Sequence, residues 1–285
     1  MISIARDAAW QTDLWVFHLI NGWAGNRALD WAAIFASRTY LFNGVIIMAA
    51  YWCIWFLPGP HQHRREKVVL ALIGAIITLI VARILASILP YRVRPLYALD
   101  VGYLSPNLPS GQNISGYEDW SSFPSDQAAL FFALAAGLWR CSRPFGVLAI
   151  LVATIGVCAV RIYLGIHYPS DVIAGAAIGV LCVYATARIG GNRLTSTILA
   201  FERDFPPAFY AAMFLVTFEI GSLFDDVRQF MHGVLVVLRA SGMHSLNLMG
   251  VLAMGAGTLA AISLTVGFIV KSRMGKRPAD PTAAR

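Results

Sequence analysis

Seven apolar stretches, at about 38–57, 66–89, 123–139, 143–162, 169–187, 207–224 and 246–270, dominate this chain. Each reaches or approaches the roughly 20 residues an α-helix needs to cross a hydrocarbon core. Within that core every backbone N–H and C=O must be paired, either inside one helix or around a closed barrel. The alternation of apolar and polar residues that marks barrel strands is absent, so the pattern predicts an all-α, polytopic transmembrane bundle of about seven spans. Composition agrees. Of 285 residues, 58% are hydrophobic and 13% charged, too few charges to cover a soluble domain.

Ahead of the first span, residues 9–37 mix aromatic and apolar residues with Asp13, Asn21, Asn26, Arg27 and Asp30. That mixture is too polar for an easy span and predicts interfacial or re-entrant helices over 1–37. Asp7 and Asp13 interrupt the stretch after Arg6, so no removable signal peptide is expected. Basic residues sit in alternate connectors: Arg64, Arg65 and Lys67; Arg140 and Arg143; Arg188, Arg193 and Arg203; then Lys271, Arg273, Lys276 and Arg277. By the positive-inside rule these connectors and the C-terminus face the cytoplasm, which puts 90–122, 163–168 and 225–245 together on the outer side. The net charge of +7 is thus explained by topology, with no nucleic-acid partner implied. Cys53, Cys141, Cys158 and Cys182 show no paired spacing, and neither a metal site nor a cofactor is expected.

Three clusters stand where outer loops meet spans: Tyr91 to Pro95, Ser122 to Gln127, and Arg161 through His167 to Asp171. An arginine at such an edge either snorkels to lipid headgroups or binds phosphate, for which its planar fork of donors is suited. The tripeptide Pro-Ser-Asp occurs at 124–126 and 169–171, each time before an apolar run, and both read as helix starts. Ser125 is then either a simple cap or part of an anion cradle made by unsatisfied backbone N–H groups. His167 lies four residues before Asp171, close enough for the carboxylate to fold back and orient the imidazole. A histidine held in that way can attack phosphorus and carry a covalent phosphoryl group.

Arg161, His167 and Asp171, at their spacing, resemble the third signature of the type 2 phosphatidic acid phosphatase superfamily, which includes the vanadium haloperoxidases. Arg94-Pro95 resembles the end of its first signature. Ser122-Phe123-Pro124-Ser125-Asp126 is similar to the second signature as found in bacterial undecaprenyl-diphosphate phosphatases, and the N-terminal region with Ile20-Asn21-Gly22 and Ala28-Leu29-Asp30 is also similar to that subgroup. The resemblance covers roughly residues 10–190. It implies a membrane lipid phosphatase bundle in which His167 is the nucleophile, Asp171 its partner, and Arg94, Arg161 and Ser125, with neighbouring Asp126, form the phosphate site. It also implies a bacterial inner membrane, with the site facing the periplasm or exterior.

Three departures from the pattern stand out. Ser87 occupies the place of the usual lysine of the first signature, so Arg83 or Arg92 is expected to supply the charge; Val160 precedes Arg161 where a serine is usual; and Gln127 replaces the histidine that protonates the leaving group. Glutamine cannot deliver a proton, so an enzyme of this kind should favour a leaving group stable as an anion, such as the phosphate ester released from a polyprenyl diphosphate. The alternatives are a lipid phosphoryl transferase and a catalytically impaired lipid-phosphate binder. In domain terms the sequence predicts helical region 1–37, catalytic bundle 38–190, an added two-span module over 191–277 and a polar tail at 278–285; Glu219, inside the sixth apolar run, is read as an interhelical hydrogen-bonding group.

Overall fold

A computed structural model describes residues 2–39, 44–58, 61–108, 114 and 120–224. The expected span at 246–270, the connector 225–245 and the polar tail lie outside the described residues. Every regular element among the described residues is helical. The chain divides into two compact units, Met1–Ala200 and Phe201–Arg285.

In the first unit, α1 (Ile2–Asn21) and α2 (Arg27–Arg38) form the expected N-terminal helix pair. Asn26 starts α2 by accepting from the amides of Ala28 and Leu29. After α3 (Ile46–Phe56) come α4 (His61–Ile88) and α5 (Asp126–Cys141). Next, α6 (Arg143–Leu151) runs through a wide-turn π segment (Val152–Ala159) into α7 (Val160–Tyr163). α8 (Pro169–Ile189) comes after it, and α9 (Gly191–Asp204) runs across the boundary between the units at Ala200. Among the described residues, three helices are long and apolar enough to cross a membrane: Gln62–Ile88, Arg143–Tyr163 and Pro169–Ile189. The predicted span at 123–139 corresponds to α5, a 16-residue, alanine-rich helix buried along most of its length, so it is shielded by its neighbours. The basic connector after α8, a loop by its sequence, is instead helical in α9, whose Leu194, Ile198 and Leu199 recur at helical spacing.

The core is the packing of α5 against α4 and α8. Small residues permit it. A Cβ added at Gly175 would lie 2.3 Å from the Ser125 carbonyl oxygen, and one at Gly179 would lie 2.1 Å from that of Ala129. The two glycines, four residues apart on one face of α8, therefore let the backbones touch, as small residues do where membrane helices meet.

The N-terminal pair is less peripheral than its sequence implies. Asp13, Phe17 and Asn21 recur at every fourth position and form the buried face of α1. Phe17 packs with Ile162, Tyr168 and Val172, which ties α1 to α7 and the start of α8. Asn21 donates to the carbonyls of Leu104 and Tyr163 and accepts from the Leu104 amide. Asp30 of α2 accepts from the Tyr163 hydroxyl and the Asn107 amide. These polar groups are the partners that the loop after α4 and the turn before α8 require.

In the second unit, α10 (Pro206–Gly221) begins on two prolines, and the Tyr210 hydroxyl donates to Glu202 at 2.8 Å. Glu219 is half-buried on α10.

Gly179→Val should destabilise the first unit by about 3 kcal/mol, the upper end for an overpacked contact, because the obstacle is a backbone carbonyl. Gly156→Ala, whose new methyl meets only Val152 at 3.9 Å, should change stability by less than about 0.5 kcal/mol. Thermal unfolding in detergent, monitored by circular dichroism, measures both.

Candidate active site

The three clusters separated in sequence meet at one end of the bundle. The chain leaves α4 and brings Arg92 and Arg94 past the loop before α5, where the Ser122 amide donates to the Arg92 carbonyl at 2.8 Å. The turn between α7 and α8 folds onto the same loop: the Ser125 amide donates to the Asp171 carbonyl, and the amides of Ile166 and His167 to that of Arg161. Gly165, at φ +68°, makes this turn in the left-handed region, with Tyr103 and Leu96 where a side chain would stand.

His167 is buried, and its Nδ1 lies 2.9 Å from the Ser122 carbonyl oxygen. A carbonyl can only accept, so Nδ1 carries the proton, and in the neutral ring Nε2 carries the lone pair. Nε2 is 3.4 Å from the Arg94 guanidinium. Burial is the main cause that lowers the His167 pKa below the ordinary imidazole value; Arg94 pushes the same way, while Asp171 and Asp126 oppose it. The neutral, nucleophilic ring is therefore the favoured form.

Asp171 does not bond the ring directly, as the four-residue spacing suggests it should. Its Oδ2 is 3.8 Å from Nδ1, and the carboxylate is occupied elsewhere. Oδ2 accepts from the Ser122 hydroxyl at 2.5 Å and the Tyr168 amide at 2.8 Å, and Oδ1 from Arg92 at 2.5 Å. Asp171 thus holds Ser122, and Ser122 holds the histidine. Sequence reasoning misses Ser122 in this part because the acting group is a backbone carbonyl, which leaves no residue-type signal.

The four arginines have different surroundings. Arg94 donates to the carbonyls of Ile166, Trp120 and Ser121, which aims its guanidinium along the His167 turn. Arg92 bridges Asp171 and Asp13 and also donates to Ser170, with its charge 4.1 Å from the Tyr168 ring centre. Its fork is taken up by the two carboxylates. Arg83 pairs with Asp126 at 2.5 Å and lies over Trp120. Arg161 is only 6% exposed, yet its guanidinium makes no hydrogen bond or ion pair among the described residues. A buried cation is costly unless an anion or other acceptors meet it.

Asp126 lies within electrostatic reach of Arg83, His167, Arg94 and Arg161, which makes it the point on which the basic groups converge. Ser125 acts as a cap: its Oγ accepts from the Ala128 amide at 3.3 Å, while Asp126 Oδ1 accepts from the Gln127 amide at 2.9 Å. Two of the amides that the sequence offers for a bare anion cradle are thus already satisfied by side chains. Gln127, in the first turn of α5, has a buried Oε1 without a hydrogen-bond partner among the described residues. No group of His, Cys, Asp and Glu among the described residues has the makings of a metal site.

Comparison with known proteins gives the same region a family context. A family model described as PAP2 superfamily matches residues 67–194. The chain is 35% identical over 147 residues to "Bacitracin transport permease protein BcrC" of Bacillus licheniformis, covering 50% of this chain and 68% of that protein. It is 26% identical over 172 residues to "Putative undecaprenyl-diphosphatase YbjG" of Escherichia coli (strain K12), covering 59% of this chain and 78% of that protein. No solved structure gives a significant match.

Nitrogen-15 NMR of histidine-labelled protein should give His167 the Nδ1–H tautomer and a midpoint below about 6.5, the reference value for imidazole. The resonance is identified by its loss in His167→Gln. Stability should respond with a definite sign. Below about 6.5 the unfolded chain takes up a proton that buried His167 resists, so this contribution is present above the reference value and is lost as pH falls through the depressed one.

Proposed function

The chain belongs to the PAP2 superfamily, and on that premise we propose that it is a membrane phosphatase that hydrolyses a polyprenyl diphosphate through a phosphohistidine on His167. The observation that carries this reading is the pairing of a tautomer-locked, buried His167 with a buried Arg161 that has no hydrogen bond or ion pair among the described residues, at the same end of the bundle. The first supplies a nucleophile, the second a demand for anionic charge. A family relative bearing the name of an undecaprenyl-diphosphatase supports the choice of substrate.

In this mechanism Nε2 attacks the terminal phosphorus, and the bond from phosphorus to the bridging oxygen breaks. The leaving group is the lipid monophosphate. Water then attacks the phosphohistidine and releases inorganic phosphate. Arg161 and Arg94 receive the phosphoryl oxygens and stabilise charge as it spreads over them, which is where most catalysis of phosphoryl transfer resides. Arg83, with Asp126 beside it, is the cation available for the second phosphate of the diphosphate.

Gln127 makes the choice of leaving group decisive. An alkoxide needs a proton as it departs, and no glutamine can give one; a phosphate ester departs as an anion. We assign the enzyme to a bacterial inner membrane, seven spans with the site on the outer side and the C-terminus in the cytoplasm. This rests on the basic connectors. Residues 38–190 would then be the catalytic bundle and 191–277 an added membrane module.

Purified protein given undecaprenyl diphosphate should release inorganic phosphate, and His167→Ala should lower the rate at least about 10³-fold. A labelled phosphoenzyme should be trapped in the parent protein and be missing from that variant. Gln127→His should raise hydrolysis of lipid monophosphates by about 10²-fold or more, with a smaller effect on the diphosphate. Phosphate release that needs an added lipid acceptor would favour the transferase reading. Binding without turnover, even in Gln127→His, would favour the binder.

A further inference from the structure

Asp13 stands far from the matched signatures, on a helix whose sequence reads as peripheral. Its side chain is nevertheless buried, and it accepts three hydrogen bonds at the edge of the site. Oδ1 takes the Ser170 backbone amide at 2.8 Å; Oδ2 takes the Ser170 hydroxyl at 2.6 Å and Arg92 at 2.7 Å. Ser170 is in the first turn of α8, one residue before Asp171, so Asp13 also places a negative charge at the positive end of that helix.

From Asp13 the bonds run inward without a gap. Arg92 spans the two carboxylates, Asp13 and Asp171; Asp171 takes the Ser122 hydroxyl; the Ser122 carbonyl takes Nδ1–H of His167. A guanidinium held at one end only can swing about its stem. Held between two carboxylates, and lying 4.1 Å from the ring centre of Tyr168 and 5.5 Å from that of Trp10, it has one orientation. We infer that Asp13 of α1 is a positioning residue for the reaction at His167, acting through Arg92 and the first turn of α8 to fix the Asp171–Ser122 pair that sets the histidine's tautomer and direction. This rests on the reading of His167 as nucleophile. It adds that the N-terminal helix, which lies outside the matched residues 67–194, completes the site.

Asp13→Asn keeps the volume of the side chain and removes its charge and one acceptor. With undecaprenyl diphosphate as substrate, kcat should fall at least about 30-fold while KM stays within about threefold, because misplacement by around 1 Å can cost about 10²-fold in rate. Ser170→Ala, which leaves every charge in place, should lower kcat by a smaller factor, about three- to tenfold. Both rates are taken per folded protein, from gel filtration and thermal unfolding in the same detergent. A kcat within threefold of the parent in Asp13→Asn overturns the inference. So does a loss that merely tracks the folded fraction in both variants, which would make Asp13 a folding residue only. If the parent protein itself releases no phosphate, the fault lies with the proposed function; turnover in the parent and undiminished turnover in Asp13→Asn reject the positioning role alone.

Discussion

The arrangement at this end of the bundle hangs on one buried carboxylate. Asp171 has no exposed surface, and a carboxylate can be kept there only if donors surround it. Those donors come from three places: Arg92 beyond α4, Ser122 ahead of α5, and Tyr168 at the start of its own helix. Satisfying a single ion therefore forces three segments to converge. The histidine is a beneficiary of that convergence, since the Ser122 carbonyl that fixes its tautomer is itself fixed by Asp171.

Much of this is legible in the sequence, for a physical reason. Hydrocarbon demands long runs of apolar residues, so the helices Gln62–Ile88, Arg143–Tyr163 and Pro169–Ile189 are plain in a linear reading. The helix starts beside Pro124 and at Pro169 are equally open to view, because proline at both, and the capping hydroxyl of Ser125 at the first, leave a compositional mark. Arg94, Ser125, Arg161, His167 and Asp171, on which the resemblance rests, all lie within the matched residues 67–194.

The hidden part has a physical reason too. The partner of His167 Nδ1 is a main-chain oxygen, which any residue type would offer. The four arginines look alike as letters, yet Arg92 lies between carboxylates while Arg161 has none bonded to it among the described residues, a difference created by contacts between residues far apart along the chain. The polar residues of α1 and α2 look, in sequence, like a reason to keep those helices at the interface. Asp13, Asn21 and Asp30 are buried against the protein, because the long loop after α4 and the turn before α8 bring groups that bond to them. A carboxylate recurring on the same helical face as a buried Phe17 is the available clue.

The glycine seam between α5 and α8 carries a further implication for how a long hydrocarbon tail can be accommodated. Where Gly175 meets the Ser125 carbonyl and Gly179 that of Ala129, there is not room for one methyl group, let alone a prenyl unit. That interface is closed to a substrate's tail along the two turns nearest the chemistry. Under the proposed function a lipid that presents its headgroup to His167 must run its tail along another flank, and at this seam the protein has no means of gauging how many carbons the tail contains.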